Sequence, residues 1–275
     1  MLTRCFCHSI VRRFKPFACF ALLVLSSVQA AQAEEEVQQC KLLTATGNPE
    51  YPPFLWGKDE SGHLHGAVVK LLDQLSKRIG IKIETVYVGP WSRAQQEIRS
   101  GRADLMAGAF YTSGRADYMS YFATPMMYTK SSVWQAHDAT FEYHSWEDLK
   151  GRWGVTVINN SFGQTFDNYA KQNLNILSVA SVEQAFSMLA AGRADYVLYE
   201  RSPGIAYVDH LGLNDKVVAV DPAISSEGLF LALSKKSPCN NQILKQQIND
   251  ALRDLVQEGV PKAVLLESFT NWSRQ

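Results

Sequence analysis

From Leu42 onward, short apolar segments alternate with amphipathic helical stretches. That alternation restricts the chain to α/β architectures with a mostly parallel sheet. Leu42 to Thr46 reads as a first strand. Tyr51-Pro52-Pro53-Phe54 reads as a loop, because Pro-Pro suits neither a helix interior nor a central strand. Val68, Val69, Leu71, Leu72, Leu75 and Ile79 recur at helical spacing, and Gly80 supplies a stop. Ile81 to Val88 alternates as a strand. Ser92 is placed to cap a helix through Ile98 that ends at Gly101, and Leu105 to Ala109 reads as a buried strand.

A second unit starts near residue 130. Val155 to Ile158 reads as a strand. Asn160 and Ser161 open a predicted helix through Tyr169, with Ser161 and Gln164 spaced as a capping box. Ser181 and Gln184 repeat the box before a helix that Gly192 ends, and Tyr196 to Tyr199 forms the next strand. Leu229 to Leu233 is another. A long helix follows, with Ile243, Leu244, Ile248, Leu252, Leu255 and Val256 on its apolar face and Gly259-Val260-Pro261 as its stop. Gly101-Arg102-Ala103-Asp104 and Gly192-Arg193-Ala194-Asp195 each join an amphipathic helix to an apolar strand, which favours two similarly built units. A further copy, Gly114 to Asp117, reads as a loop outside that pattern.

The N-terminus speaks to compartment. Arg4, Arg12, Arg13 and Lys15 precede an apolar run from Phe17 to Val28, then small residues through Ala30 and Ala33. This order is that of a cleavable secretory signal over residues 1–33, cut after Ala30 or Ala33. The apolar run is shorter than the ~20 residues of a spanning helix. The chain has 27 basic and 27 acidic residues, so losing those four basic ones leaves 23 against 27. A mildly acidic mature protein of about 240 residues offers no basic stripe for nucleic acid. Cys40 and Cys239 remain after cleavage. In an oxidising compartment they suggest one disulfide, the alternative being two buried thiols.

Ligands of open α/β sheets bind beyond the carboxyl ends of the strands. That rule selects Asn48, Tyr51 and Phe54 after the first strand, Trp91 after the second, and Gly108, Phe110, Tyr111 and Arg115 after the third. In the second unit it selects Asn160, Ser161, Tyr199 and Glu200. Aromatics, an arginine, a helix N-terminus and a carboxylate suit a zwitterion. The arginine offers forked bonds to a carboxylate, the helix terminus adds backbone donors, and Glu200 balances an ammonium.

The chain resembles the family-3 extracellular solute-binding proteins, the polar amino-acid receptors of ABC importers. The resemblance is carried by Tyr51-Pro52-Pro53-Phe54, Gly62 and Gly66 before a helix, Pro90-Trp91-Ser92-Arg93, Ala107-Gly108 through Arg115, Leu149-Lys150-Gly151, and Gly192 through Glu200. It implies an α/β fold of the type II periplasmic binding protein class, with two lobes joined by a two-stranded hinge. Lobe 1 would be discontinuous, residues 34–128 plus 226–275, and lobe 2 residues 129–225. The crossings fall near Met126–Ser131 and Asp221–Glu227, which puts Cys40 and Cys239 in one lobe.

The resemblance also assigns roles. Tyr51 and Trp91 match aromatics that sandwich the ligand, Asn48 a side-chain contact, and Gly108 a backbone acceptor for the ligand's amino group. Arg115 matches the arginine that binds the α-carboxylate. Asn160 and Ser161 match a pair that completes carboxylate binding at a helix N-terminus. Three residues depart from the family pattern. Glu200 replaces an Asp that partners the ammonium, Phe110 replaces a Ser or Thr, and Asn159 replaces a Gly. The implied partners are a small zwitterionic ligand and an ABC permease. A monomer is expected, with no cofactor and no metal.

An enzyme on the same fold, such as a cyclohexadienyl dehydratase, is the main rival. Its acid lies a few residues past the ammonium-binding carboxylate, where this chain has Arg201-Ser202-Pro203. No serine sits on a nucleophile elbow beside a histidine. His63 and His65 lack further ligands at metal-site spacing. A ligand-sensing role is a further alternative.

Overall fold

The computed structural model describes residues 40–57, 59–272 and 274, so the expected leader lies outside the described residues. The chain begins with β1 (Leu42–Thr46), β2 (Glu50–Tyr51), β3 (Leu55–Trp56), α1 (Ala67–Ile79), β4 (Lys82–Thr85), α2 (Trp91–Ser100) and β5 (Leu105–Ala109). It continues through α3 (Ser113–Ala116), β6 (Met119–Tyr121), β7 (Met127–Ala136), a 3-10 turn (Trp146–Leu149), β8 (Trp153–Val157), α4 (Gln164–Asn173) and β9 (Asn175–Val179). Then come α5 (Val182–Ala190), β10 (Tyr196–Glu200), α6 (Arg201–His210), β11 (Val217–Ser234), α7 (Gln242–Gln257) and α8 (Val260–Trp272).

The strands follow the order β4-β1-β5-β11-β7-β10-β8-β9, with β6 pairing β11. Pairing is parallel within β4-β1-β5 and within β10-β8-β9. Between these two groups run β7 and β11, antiparallel to each other. The last residues of β11 pair with β5 and β6, whereas β7 pairs with β10. Two strands therefore join two parallel groups, each with its own helices. The β7–β11 register slips between Val220 and Ser225, within the expected second crossing.

Local chemistry explains several of these elements. Helix α1 buries Val68, Leu71, Leu72 and Leu75, and Gly80 ends it at φ 68°. A residue with a Cβ resists that left-handed geometry. Burying each of these leucines contributes roughly 1.5–3 kcal/mol. The repeated tetrapeptide has a shared structural job. Asp104 accepts from Thr44 N at 2.8 Å while its own N donates to Thr44 O at 2.9 Å. Asp195 accepts from Trp153 N at 2.7 Å while its N donates to Trp153 O at 2.9 Å. Each aspartate thus closes a helix–strand joint onto a neighbouring parallel strand.

Cys40 and Cys239 form a disulfide, with Cα atoms 5.6 Å apart and both residues buried. It joins the segment before β1 to the segment between β11 and α7. Asp104 reinforces the same corner, accepting from Ser237 Oγ at 2.6 Å.

Several boundaries differ from the sequence expectation. Helix α2 starts at Trp91 with Pro90 as N-cap, so Ser92 lies inside the first turn and caps nothing. Helix α4 starts at Gln164 rather than at Asn160, and Gly163 is its N-cap. Gly114 to Ala116 lies in α3 and not in a loop. The expected stop at Gly259-Val260-Pro261 ends α7 but also opens α8, since proline is well suited to a first helical turn.

Candidate ligand-binding site

The carboxyl ends of β1, β5 and β10 converge on one cavity. Asn48, Tyr51, Trp91, Gly108, Phe110, Arg115, Asn160 and Glu200 line it, together with Ala109 and Leu229. Eight of the twelve residues selected by the strand-end rule are therefore brought together. Phe54, Tyr111, Ser161 and Tyr199 are not in the lining: Phe54 is buried in the core and Tyr111 is exposed. Ser161 Oγ instead donates to Asp167 Oδ2 at 2.5 Å, and Asp167 Oδ1 also accepts from Phe162 N at 2.9 Å. The expected capping box at Ser161 is thus absent. Its Gln164 reaches across to accept from Ser113 N at 2.9 Å and Ser113 Oγ at 3.0 Å. Tyr199 is buried behind the site, its hydroxyl donating to Glu50 O at 2.6 Å.

Arg115 sits on the short helix α3, and Thr112 Oγ1 accepts from its backbone N at 3.2 Å. Its side chain is buried. Nη1 donates to Phe110 O at 3.1 Å and Nη2 to Asn159 O at 3.0 Å, while the guanidinium lies 5.2 Å from the Trp91 ring centroid. A guanidinium has five N–H donors, so three remain beyond these two carbonyls. Among the described residues it has no carboxylate within ion-pair distance.

Asn159 makes the turn before Asn160. Its φ is 61°, the left-handed region, among the described residues the one non-glycine residue found there. That geometry accounts for the glycine of the family pattern. It points the Asn159 carbonyl at Trp91 Nε1 (3.0 Å), Gln95 Nε2 (3.3 Å) and Arg115 Nη2 (3.0 Å). Residues far apart in sequence, on both parallel strand groups, are thereby drawn across the cleft.

Glu200, at the end of β10, is 2% exposed. Burial pushes its carboxyl up to about 7. Its backbone N–H, Asn160, Arg115 and Tyr51 pull the other way and only partly offset that desolvation. Yet Glu200 Oε2, Tyr51 Oη and Asn160 Nδ2 are all buried with no hydrogen bond of regular geometry. Polar atoms held this way normally meet a partner. The cavity between them is small, ≈ 20 Å³, about what one water centre requires.

The alignment of family features with this chain covers residues 43–270, matching the bacterial extracellular solute-binding proteins, family 3. The chain belongs to that family. Among curated proteins, this family-3 protein is similar to the L-cystine-binding protein TcyA of Bacillus subtilis (strain 168). The two are 20% identical over 218 residues, covering 79% of this chain and 77% of TcyA. Among solved structures it is similar to a mutant of ArgBP from T. maritima, with TM-score 0.69, 22% identity, and coverage of 86% of this chain and 98% of that one. The substrate-binding protein AbpA from Streptococcus pneumoniae, bound to L-arginine, gives TM-score 0.69 at 20% identity, covering 86% and 98%. A histidine kinase sensor domain similar to periplasmic binding proteins gives TM-score 0.69 at 21% identity, covering 82% and 95%. The fold of this family-3 protein is that of the type II periplasmic binding proteins.

Sequence reasoning missed Ala109 and Leu229. Ala109 lies at the end of the predicted strand beside Gly108 and was within reach of the strand-end rule. Leu229 comes from β11, the last strand of the sheet to be made. Its contact with the site depends on an antiparallel pairing with β5 across more than a hundred residues. Gly108 matters for that contact. Its φ is 110°, and a Cβ there would stand 3.2 Å from Leu229.

Proposed function

We propose that this protein captures a small polar ligand, an amino acid, in the cleft between two lobes and delivers it to an ABC importer. Lobe 1 comprises residues 40–128 and 226–275, and lobe 2 residues 129–225, with β7 and β11 as the hinge. Arg115 grips the ligand carboxylate. Glu200 takes the ammonium, assisted by the backbone of Gly108. Tyr51, Trp91 and Phe110 enclose the side chain, which Asn48 contacts, and Asn160 completes carboxylate binding. Residues 1–33 direct export to the periplasm, and the processed protein acts as a monomer.

One observation carries this reading. A buried guanidinium from one strand group and a buried carboxylate from the other line the same cavity, 85 positions apart in sequence. Tyr51, Asn160 and Glu200 atoms without a hydrogen bond of regular geometry stand beside them. Such paired, opposite charges in a dry cleft fit a zwitterion, and binding would close the lobes upon it. TcyA and AbpA are binding proteins, which supports binding over catalysis.

Native mass spectrometry of freshly purified, exported protein tests the proposal. An added mass matching an amino acid, absent from Arg115→Ala, is the expected result. Retention of the same added mass by both Arg115→Ala and Glu200→Gln would show that the ligand is not held as a zwitterion. N-terminal sequencing of the same material should begin at Ala31 or Glu34; a soluble form starting at Met1 would remove the export step.

A further inference from the structure

The two crossing strands carry polar side chains that none of the interactions above uses. Ser131 of β7 stands opposite Glu200 of β10 on one side and opposite Ser225 of β11 on the other. Directly opposed residues share a sheet face, as do residues two apart on one strand. Thr129, opposite Glu227, therefore lies on the face of Ser131, Ser225 and Glu200. Leu229, two residues beyond Glu227, lines the cavity, so this face is the floor of the cleft. The opposite face is already engaged, with Ser132 Oγ accepting from Arg201 Nε at 3.0 Å.

The floor lacks partners. Thr129 Oγ1, Ser131 Oγ and Ser225 Oγ are buried without a hydrogen bond of regular geometry, as are Tyr51 Oη, Asn160 Nδ2 and Glu200 Oε2 around them, although Tyr51 interacts with Thr129 and Glu200, and Asn160 with Glu200. Tyr51 comes close enough to Thr129 and Glu200 for both to bear on its hydroxyl. Of the thirteen such atoms among the described residues, six gather at this one place. That concentration points to a group that arrives from outside the chain. A hydroxyl can give or take a hydrogen bond, whereas the ionised carboxylates of Glu200 and Glu227 only accept, so a donor is the group that suits the whole floor. A second carboxylate would face two glutamates, and an apolar tail would leave the hydroxyls unpaired. An ammonium has three N–H donors and no acceptor.

We propose that Thr129, Ser131 and Ser225 form a subsite on the hinge strands for a second protonated amine, which makes the ligand a short-chain diamino acid. The proposal rests on the amino-acid reading above. It makes the hinge part of the binding surface, so that the distal amine contacts the strands about which the lobes turn.

Titration calorimetry on the exported, processed protein tests it with two probes of equal carbon length, L-2-aminobutyrate and L-2,4-diaminobutyrate. The diamino acid should bind at least tenfold more tightly. Thr129→Val/Ser131→Ala/Ser225→Ala should lower its affinity at least tenfold and change that of L-2-aminobutyrate less than twofold. Equal affinities in the parent, or equal losses for both probes in the variant, overturn the subsite and leave the amino-acid reading standing. Binding of neither probe to the parent overturns the subsite together with that reading. If the triple variant fails to fold, Ser131→Ala and Ser225→Ala singly must show the same selective loss.

Discussion

Glu200 offers the sharpest test of the site's electrostatics. Its carboxyl is fully enclosed, and desolvation pushes its pKa from 4.5 to about 7. Each pKa unit corresponds to about 1.4 kcal/mol, so ionising Glu200 in the folded protein costs about 3 kcal/mol relative to the unfolded chain. The folded state binds the proton more tightly than the unfolded state. Stability is therefore fully present below pH 4.5 and is lost as pH rises through 7. Glu200→Gln keeps the shape and removes the charge. The variant should match the parent near pH 4.5 and exceed it by up to about 3 kcal/mol at pH 8, read by urea denaturation at both pH values. A ligand ammonium reverses the preference by stabilising the carboxylate. Amino-acid binding near pH 6 should then release a proton, and calorimetry in two buffers of different ionisation enthalpy would detect it. Affinity should rise as pH climbs from 5.5 to 7.5 in the parent and stay flat in Glu200→Gln. A stability difference between parent and variant that is the same at pH 4.5 and pH 8 would refute the argument, because no buried carboxyl would then be titrating.

Other outcomes follow from the same geometry. Arg115→Ala should weaken amino-acid binding by about 2–5 kcal/mol in calorimetry, because the ligand carboxylate is left unpaired in a dry site; Arg115→Lys should rescue little, since an ammonium lacks the forked geometry. Thiol labelling of denatured, unreduced protein should find Cys40 and Cys239 blocked, and Cys40→Ser/Cys239→Ser should lose about 2–4 kcal/mol in denaturation. Asn159→Val should destabilise by about 1–2 kcal/mol, because a β-branched residue is strained at φ 61°, whereas Asn159→Gly should leave denaturation midpoints little changed. Unchanged stability in Asn159→Val would mean that the left-handed turn before Asn160 relaxes freely.

The sequence by itself determined the strand–helix alternation and the helix stops. Helical spacing of Val68, Leu71, Leu72 and Leu75 and the glycines at 80 and 101 act within a turn or two, where local sterics and amphipathicity decide. The strand-end rule brought Asn48, Tyr51, Arg115 and Glu200 into view for a related reason, since strand ends are visible as breaks in an apolar run. Helix starts were less legible. Ser92 and Ser161 look like caps, but an N-cap needs a particular backbone angle as well as a hydroxyl, and the neighbouring chain set that angle elsewhere. Gly259-Val260-Pro261 read as a stop because the same residues that end one helix can begin the next.

Only the tertiary structure decided which polar atoms found partners. Asn159 O gathers donors from Trp91, Gln95 and Arg115, and Tyr199 Oη reaches Glu50 O. The ladder sets Ser131 between Glu200 and Ser225. These contacts join residues separated by tens to well over a hundred positions. No local pattern encodes them, because a hydrogen bond depends on where two distant segments are placed by the packing of everything between them. The burial that lifts the Glu200 carboxyl has the same origin: the residue is a glutamate in the sequence, and the closed walls around it make it a proton acceptor near neutrality.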